Sequence, residues 1–433
     1  MNRPLAPASD RADLAALAEL SARGIHVPGV PSLARDQSPF ARPTLAWTRT
    51  VAPGVTLTAR PIDLSADCFT NAYTLTVDLG RASCRPVSSP AGFHLRHLVT
   101  GPAVAAASGA FSYISDDPAY QPAEPRLDLA VGDRCAVSLP TITKPALLIH
   151  QGRPTLRTLA ATGSVTIAGH PHTWTGSKEP QPHRHQPGHL NVFGAANCRI
   201  RYRDDPRTGF RRDVDPAANT TLRDPAALDC TVTHTPTGPR ITALHPGGGA
   251  DLFTGAYILR THRPWPAHLA LGAPVHVTAL DTLATAGIDS GLSLGPSAAD
   301  AAAGHTAAWD QSLGTSPFRP DARYARTLLT LDGQHLTITV LDGAPLAPGF
   351  QGATVQETSE LVEHAGHDPA AVFHLDGGQT SKIAHRHSGQ VDAVGSLHYL
   401  RWPQDAHEPF RWQGLDGRRL HSALQITTLP ESP

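Results

Sequence analysis

Several things are scarce in this chain of 433 residues, and each scarcity removes a class of protein. The five cysteines are widely spaced and include no Cys-x-x-Cys pair, which argues against both a disulfide framework and a thiolate zinc site. Only three of the 36 cationic residues are lysines (Lys144, Lys178 and Lys382), and the formal net charge is -1. A protein that grips nucleic acid through its phosphates is usually basic overall, so no nucleic-acid partner is expected. No apolar run approaches the ~18 residues of a membrane-spanning helix, and no membrane partner is expected either. The N-terminal stretch lacks the apolar block of a signal peptide because Asp10, Asp13 and Glu19 interrupt it; the expected location is the cytoplasm.

What the chain has in quantity is Gly (37) and Pro (40), alongside 40% hydrophobic residues. That mixture favours turns and short strands over long helices, and it can still fill a core. The expected class is α+β, a mixed β-sheet core with few short helices. Leu14, Leu17 and Leu20 recur at helical spacing between a Ser9 or Asp10 cap and Gly24. Residues 1–45 therefore read as a helical, then Pro-rich arm, and 46–425 as the main domain. Within it, 203–240 is rich in Arg, Asp, Pro and Thr, and reads as an exposed insertion or long loop.

Period-two alternation marks strands at Val55 and Leu57 and again at Tyr73, Leu75, Val77 and Leu79. Local signals are densest from 325 to 385. Leu329 and Leu331 lead into Asp332-Gly333, and Leu336, Ile338 and Val340 follow, which is a hairpin signal with both turn residues tolerant of positive φ. Thr354 and Glu357 have capping-box spacing for a helix whose buried face would be Leu361, Val362 and Ala365, closed by Gly366. An apolar strand over 370–375 then runs into Asp376-Gly377-Gly378-Gln379-Thr380-Ser381.

This block resembles the phosphodiester glycosidase family, whose best-known member removes N-acetylglucosamine from phosphodiesters. The residues that carry the resemblance are Arg326-Thr327 opening the hairpin and Asp342-Gly343 closing it, Gly352-x-Thr354 with Glu357, and Leu375-Asp376-Gly377-Gly378 followed by Thr380-Ser381. Ala107 to Phe111 lies where the family usually carries Asn-Gly before aromatic residues. Two departures stand out: Ser108 replaces that Asn, and Gln379 replaces a common third Gly. The resemblance implies a hydrolase that cleaves the anomeric C–O bond of a sugar phosphodiester and releases sugar and a phosphate monoester. The partner would be a small sugar phosphodiester or a nucleotide-sugar-like molecule.

Such chemistry sets residue requirements. A phosphate monoester whose conjugate acid has a pKa on the order of 6 leaves readily, so charge stabilisation matters more than general acid help. The anomeric carbon passes through an oxocarbenium-like state and needs an anionic partner and an aimed water or nucleophile. Arg326 fits the phosphate because its fork is bidentate, and Asp376 fits the anomeric carbon. Asp342 and Glu357 are supporting acids. Gly377 and Gly378 permit close approach, Thr380 and Ser381 can donate to phosphate oxygens, and Gln379, Ser108, Gly109 and His385 border the same cleft. No cofactor is expected; acids beside a phosphate leave room for a divalent cation, but no dedicated ligand set is visible.

Other patterns compete. His170-x-His172, His183-x-His185 with His189, and His385-x-His387 place imidazoles at strand spacing, but Pro and Gly punctuate them and no carboxylate pattern is near. Gly291-Leu-Ser293-Leu-Gly295 matches a nucleophile elbow, yet Pro296 follows at once where a helix should begin. A serine hydrolase using Ser293, and a sugar- or nucleotide-binding protein without hydrolysis, are therefore the alternative functions.

Overall fold

The structure is a computed structural model that describes residues 44–111, 130–132, 135–138, 142–160, 162–176, 189–194, 200–203, 211–214, 220–279, 283, 286–309, 317–343, 349–396, 399–401, 411–413 and 420–430. The arm expected over 1–45 lies outside the described residues except for its last two, and so do His183 and His185. Strands account for 57% and helices for 11%, so the fold is β-dominated rather than evenly α+β. Pairing is antiparallel throughout the described ladders except between His170–Gly176 and His189–Phe193, which run parallel.

Alternation builds the central sheet. Its six strands lie in the order Trp47–Ala52, Val55–Ser65, Cys68–Asp78, His335–Leu341, Arg326–Asp332, Val372–Leu375. Three N-terminal strands thus join the C-terminal hairpin through a ladder running from His335↔Asp78 to Leu341↔Ala72. Inward residues Val55, Leu57, Leu75, Val77, Leu336, Ile338 and Val340 are buried, and the threonines between them face outward. A second sheet again joins early strands (Ala82–Phe93, Ala103–Ser108) to late ones (Lys382–His387, Gln390–Gly395, Leu420–Thr428). Its Ala105, Ala107, Ile383, Leu424 and Ile426 share the main core with the central sheet. The middle of the chain supplies the sheet containing Lys144–His150 and Ile288–Ser293, then a seven-stranded sheet with its own core around Trp174.

The expected hairpin forms, with a different turn. Asp332 still pairs with His335, so the loop is Gly333-Gln334, and positive φ occurs only at Gly333 (56°). That is the pattern of a II′ turn, with glycine first, rather than the I′ turn expected from Asp-Gly. The capping box forms at the helix Val355–His364, with Thr354 as N-cap and Glu357 returning to it. Its buried face is Val355, Thr358, Ser359 and Val362, whereas Ala365 is exposed. The exposed-loop expectation for 203–240 fails from 223 onward. Arg223–Thr235 is a strand inside the seven-stranded sheet, with Ala227, Leu228, Cys230 and Val232 buried. Of these four core residues only Leu228 is large, so a search for large apolar side chains passes over the strand.

Opposite faces of one strand should respond oppositely. Ile338→Ala is expected to lower unfolding free energy by about 2–4 kcal/mol, and Thr337→Ala on the outer face by less than about 1 kcal/mol. Urea unfolding of both variants measures the contrast.

Candidate active site

The C-terminal hairpin, the Asp376 turn and the end of the strand Ala103–Ser108 meet at one edge of the central sheet. The pairing Thr327↔Leu375 carries Arg326 and Asp376 to facing positions just beyond the ladder. The Asp376 amide donates to the Gly109 carbonyl at 2.9 Å, and the Gly378 amide to the Ala325 carbonyl at 2.7 Å. Three segments far apart in sequence, around 109, 325 and 376, are therefore tied by main-chain bonds. Gly109 is required where it stands, since a Cβ there would lie 2.6 Å from the carbonyl carbon of Ser422 and 2.7 Å from the Ala423 nitrogen.

Hydroxyl groups finish the framework. Ser108 Oγ donates to the Thr380 carbonyl and accepts from the Lys382 amide at 3.0 Å. Thr327 Oγ1 donates to Ser381 Oγ at 3.1 Å, and Thr380 Oγ1 donates to the Gly377 carbonyl at 2.7 Å. Ser108, Thr380 and Ser381 are all buried, so their hydroxyls hold the turn in place. Asp376, Gly377, Gly378 and Gln379 are the residues of the turn that remain half-exposed.

The two arginines three residues apart divide into different roles. Arg323 was not singled out by sequence reasoning, yet it forms a bidentate pair with Glu357 at 2.5 and 2.7 Å. Glu357 also accepts from the Thr354 amide, so its carboxylate is spent on the cap and on Arg323. Arg326 is 3% exposed and donates to three main-chain carbonyls: Ala353 at 3.1 Å, Pro317 at 2.8 Å and Ala322 at 3.1 Å. Burial lowers its pKa to about 10, which leaves it charged at neutral pH. These hydrogen bonds are to neutral oxygens, so the cation is held in place without a carboxylate in contact with it.

Asp342 is 9% exposed at the end of the hairpin. Its Oδ1 accepts from the Gly343 amide at 2.7 Å and from Ser396 Oγ at 3.3 Å. Ser396 in turn donates its amide to the Ser381 carbonyl at 2.8 Å, which links Asp342 to the Asp376 turn through one residue. Burial, with the Asp342 charge second, pushes the Tyr73 phenol up to about 12. His385 is not brought to the turn: its Nε2 lies 3.4 Å from Arg49, which pairs with Asp392 at 3.3 Å.

His374 was not among the residues singled out from the sequence. It is 1% exposed on the strand Val372–Leu375, edge-on to Phe318 at 5.3 Å, and its Nε2 has no hydrogen-bond partner. Its signal was an imidazole at an inward-facing position of a short apolar strand. Elsewhere, Ser293 is fully buried within the strand Ile288–Ser293 and opens no elbow. His170 and His172 meet a third imidazole, His268, with His170 stacked on it at 4.1 Å. No group of three or more His, Cys, Asp or Glu side chains is placed to hold a metal ion among the described residues. Also among them, no helix is long and apolar enough to cross a membrane.

No family model matches this sequence, and no curated protein matches it. The fold is similar to that of a hypothetical protein from Synechocystis, with a TM-score of 0.58 and 15% identity over 89% of this chain. This chain spans 64% of that protein's length. It is also similar to a Burkholderia pseudomallei protein described as exported, with a TM-score of 0.52 and 18% identity, covering 84% of this chain and 74% of the other. The catalytic domain of zebrafish N-acetylglucosamine-1-phosphodiester α-N-acetylglucosaminidase, auto-inhibited by its pro-peptide, matches with a TM-score of 0.33 and 11% identity, over 89% and 88% of the two chains. The first two therefore share this chain's fold.

Two outcomes follow from the buried cations and imidazoles. Burial, with Arg326 second, lowers the His374 pKa to about 3. An unfolded imidazole titrates near ~6.5. Between those values the unfolded chain binds a proton that the folded chain refuses, so stability falls as pH drops through this window. His374→Leu should flatten that slope, measured as the urea midpoint at pH 7 and pH 5. Arg326→Lys cannot reproduce a fork to three carbonyls and should cost about 2 kcal/mol or more in the same assay at pH 7.

Proposed function

We propose that this chain is a hydrolase acting on a sugar joined through its anomeric oxygen to phosphate, and that Asp376 is the carboxylate at the anomeric carbon. The observation that carries the reading is the tying of Asp376 and Gly378 to Gly109 and Ala325, which sets a half-exposed acid on a rigid turn facing the Arg326 position. A catalytic carboxylate needs that rigidity, because aiming at a reacting carbon contributes to rate only when the geometry is held in advance.

Arg326 takes a different part from a bidentate phosphate clamp. Its donors point at the carbonyls of Pro317, Ala322 and Ala353, so it serves as a positioning residue and a fixed positive charge beneath the turn. A buried cation without an acid in contact attracts an anion over several ångströms in low dielectric. Phosphate oxygens would meet the turn at Gly377–Gln379, with Asp342 and Ser396 behind it. Glu357 and the buried hydroxyls of Ser108, Thr380 and Ser381 support this arrangement rather than touch substrate. His385 lies outside it. We propose in addition that the substrate is intracellular or biosynthetic.

A second reading is favoured by the full engagement of Arg326 and Glu357 in structural contacts: a sugar-phosphate binder without turnover. Both are tested by one assay of sugar and phosphate-monoester release from sugar phosphodiesters, run beside calorimetry. The enzyme reading expects Asp376→Asn to lower the rate at least about 100-fold while the fold is kept. Binding without product in wild type would instead select the second reading, and equal rates in wild type and variant would remove Asp376 from the chemistry. Ser293→Ala should leave the rate unchanged.

A further inference from the structure

A cluster of imidazoles sits on the seven-stranded sheet, which does not carry the Asp376 turn. His170 and His172 stand two apart on the strand His170–Gly176, so both project to one face. It is the inner face, because His172 pairs with Val165 and Val165 with Val277, both fully buried in the core around Trp174. His268 reaches them from the connection between Tyr257–His262 and Val275–Val277. The His170 ring stacks on His268 with centroids 4.1 Å apart, and His172 Nε2 lies 2.6 Å from His268 Nε2. His170 is exposed, and the other two are half-buried.

The connection that carries His268 is fastened at its two ends. The Arg263 amide and the Trp265 indole N–H both donate to the Ala226 carbonyl at 3.0 Å. At the other end the Gly272 amide donates to the Ile241 carbonyl at 2.8 Å, and the Ile241 amide to the Ala273 carbonyl at 3.0 Å. Between these anchors the amides of Leu269 and Ala270 turn back to the carbonyls of Pro266 and His268, inside the loop itself. Two side chains tie this middle stretch to the sheet. Leu269 is 5% exposed within the core around Trp174, and His268 bonds to His172. We propose that His170, His172 and His268 form a proton-operated clasp, closed near neutral pH and released as the pH falls, that frees residues 266–271 from the second core. The proposal does not depend on the enzymatic reading.

Counting protons gives the reason. A hydrogen bond between two Nε2 atoms needs one of them protonated and the other bare. A second proton sets N–H against N–H and puts two cations in contact, with the His170 ring stacked on one of them. The charged groups on the packed elements offer no relief. Arg240 Nη1 donates to the Gly272 carbonyl at 2.8 Å, and Arg263 lies over the Trp265 ring at 4.8 Å. The nearby acid Asp224 is 2.9 Å from His262 Nε2 and is engaged there. His189 and His276 pair with Thr173 and Thr166, so they face the other side of the sheet. Burial first, and the neighbouring imidazoles second, hold His172 and His268 below the usual histidine range. The released loop titrates near ~6.5. It therefore takes up protons that the closed cluster refuses, and opening is favoured as pH falls below that value.

The test is hydrogen–deuterium exchange of the full chain at pH 7.5 and pH 5.5, with labelling times corrected for the pH dependence of intrinsic exchange. Uptake in peptides covering 264–272 should rise at least about threefold at the lower pH, while peptides covering the strand Tyr257–His262 change less. His268→Phe keeps a ring for His170 to stack on but takes no proton, and it should lose this response. His374→Leu, which removes the buried imidazole of the other core, should keep it. Equal uptake at both pH values in the wild type, or a full response in His268→Phe, would overturn the proposal. So would loss of the response in His374→Leu, or an equal rise across the whole sheet, because acid would then be acting on the fold as a unit.

Discussion

The ladder between Cys68–Asp78 and His335–Leu341 is the constraint on which the rest hangs. It brings together strands more than 250 residues apart and aligns two alternating patterns so that Leu75 and Val77 meet Leu336, Ile338 and Val340 in one core. A shift of one residue would turn the threonines inward and the leucines out, so the register is set by burial as much as by hydrogen bonds. The same ladder fixes the candidate site. Just past its end, Asp342 donates its amide to the Asn71 carbonyl at 2.9 Å, and Thr70 Oγ1 donates to the Asp342 carbonyl at 2.7 Å. The end of the C-terminal hairpin is thus anchored to the N-terminal strands before any side chain of the turn comes into play.

Electrostatics then separates two arginines that look alike in sequence. Arg323 is partly exposed and finds Glu357, a pair whose charges cancel at a helix start where an acid is already favoured. Arg326 points inward, where a carboxylate partner would carry its own desolvation cost, and it is held by the carbonyls of Pro317, Ala322 and Ala353 instead. Neutral acceptors satisfy the donors without cancelling the charge. The unpartnered Nε2 of His374 beside this cation fits the same logic: protonating it would place two positive charges in one apolar pocket, so the ring stays neutral.

What could be read in advance was what depends on neighbours in sequence. The 326–341 hairpin and the Thr354–Glu357 box were legible because each is decided by residues a few positions apart. The turn type was not, because Asp332 remains in the ladder and shifts the loop to Gly333-Gln334. The strand Arg223–Thr235 was missed for want of large side chains, although Thr231, Thr233 and Thr235 alternate with Cys230, Val232 and His234. At the site, residue types were informative and roles were not. Nothing in Arg326-Thr327 tells that the guanidinium will face carbonyls contributed by 317, 322 and 353, since every sequence offers carbonyls everywhere. Ser108 gave the same difficulty: its hydroxyl matters because it bridges Thr380 and Lys382, more than 270 residues away.

The threonine face shows how far one pattern can serve two ends. Strand-forming residues on a solvent-facing surface need only be β-branched and wettable, and threonine meets both needs. That accounts for scattered threonines. It does not by itself account for Thr-x-Thr at 48–50, 56–58, 74–76 and 337–339 falling into register across four neighbouring strands, with Thr74 and Thr339 hydroxyls 3.2 Å apart. Hydroxyls that meet across a strand pair, as those of Thr74 and Thr339 do, satisfy one another within the sheet. Meanwhile the acid, the glycines and the buried cation are concentrated at the sheet's edge, where the ladder ends and main-chain groups become available. The face and the edge of one sheet thus differ in what they present: side chains alone on the face, and main-chain groups as well at the edge, where the backbone leaves the ladder.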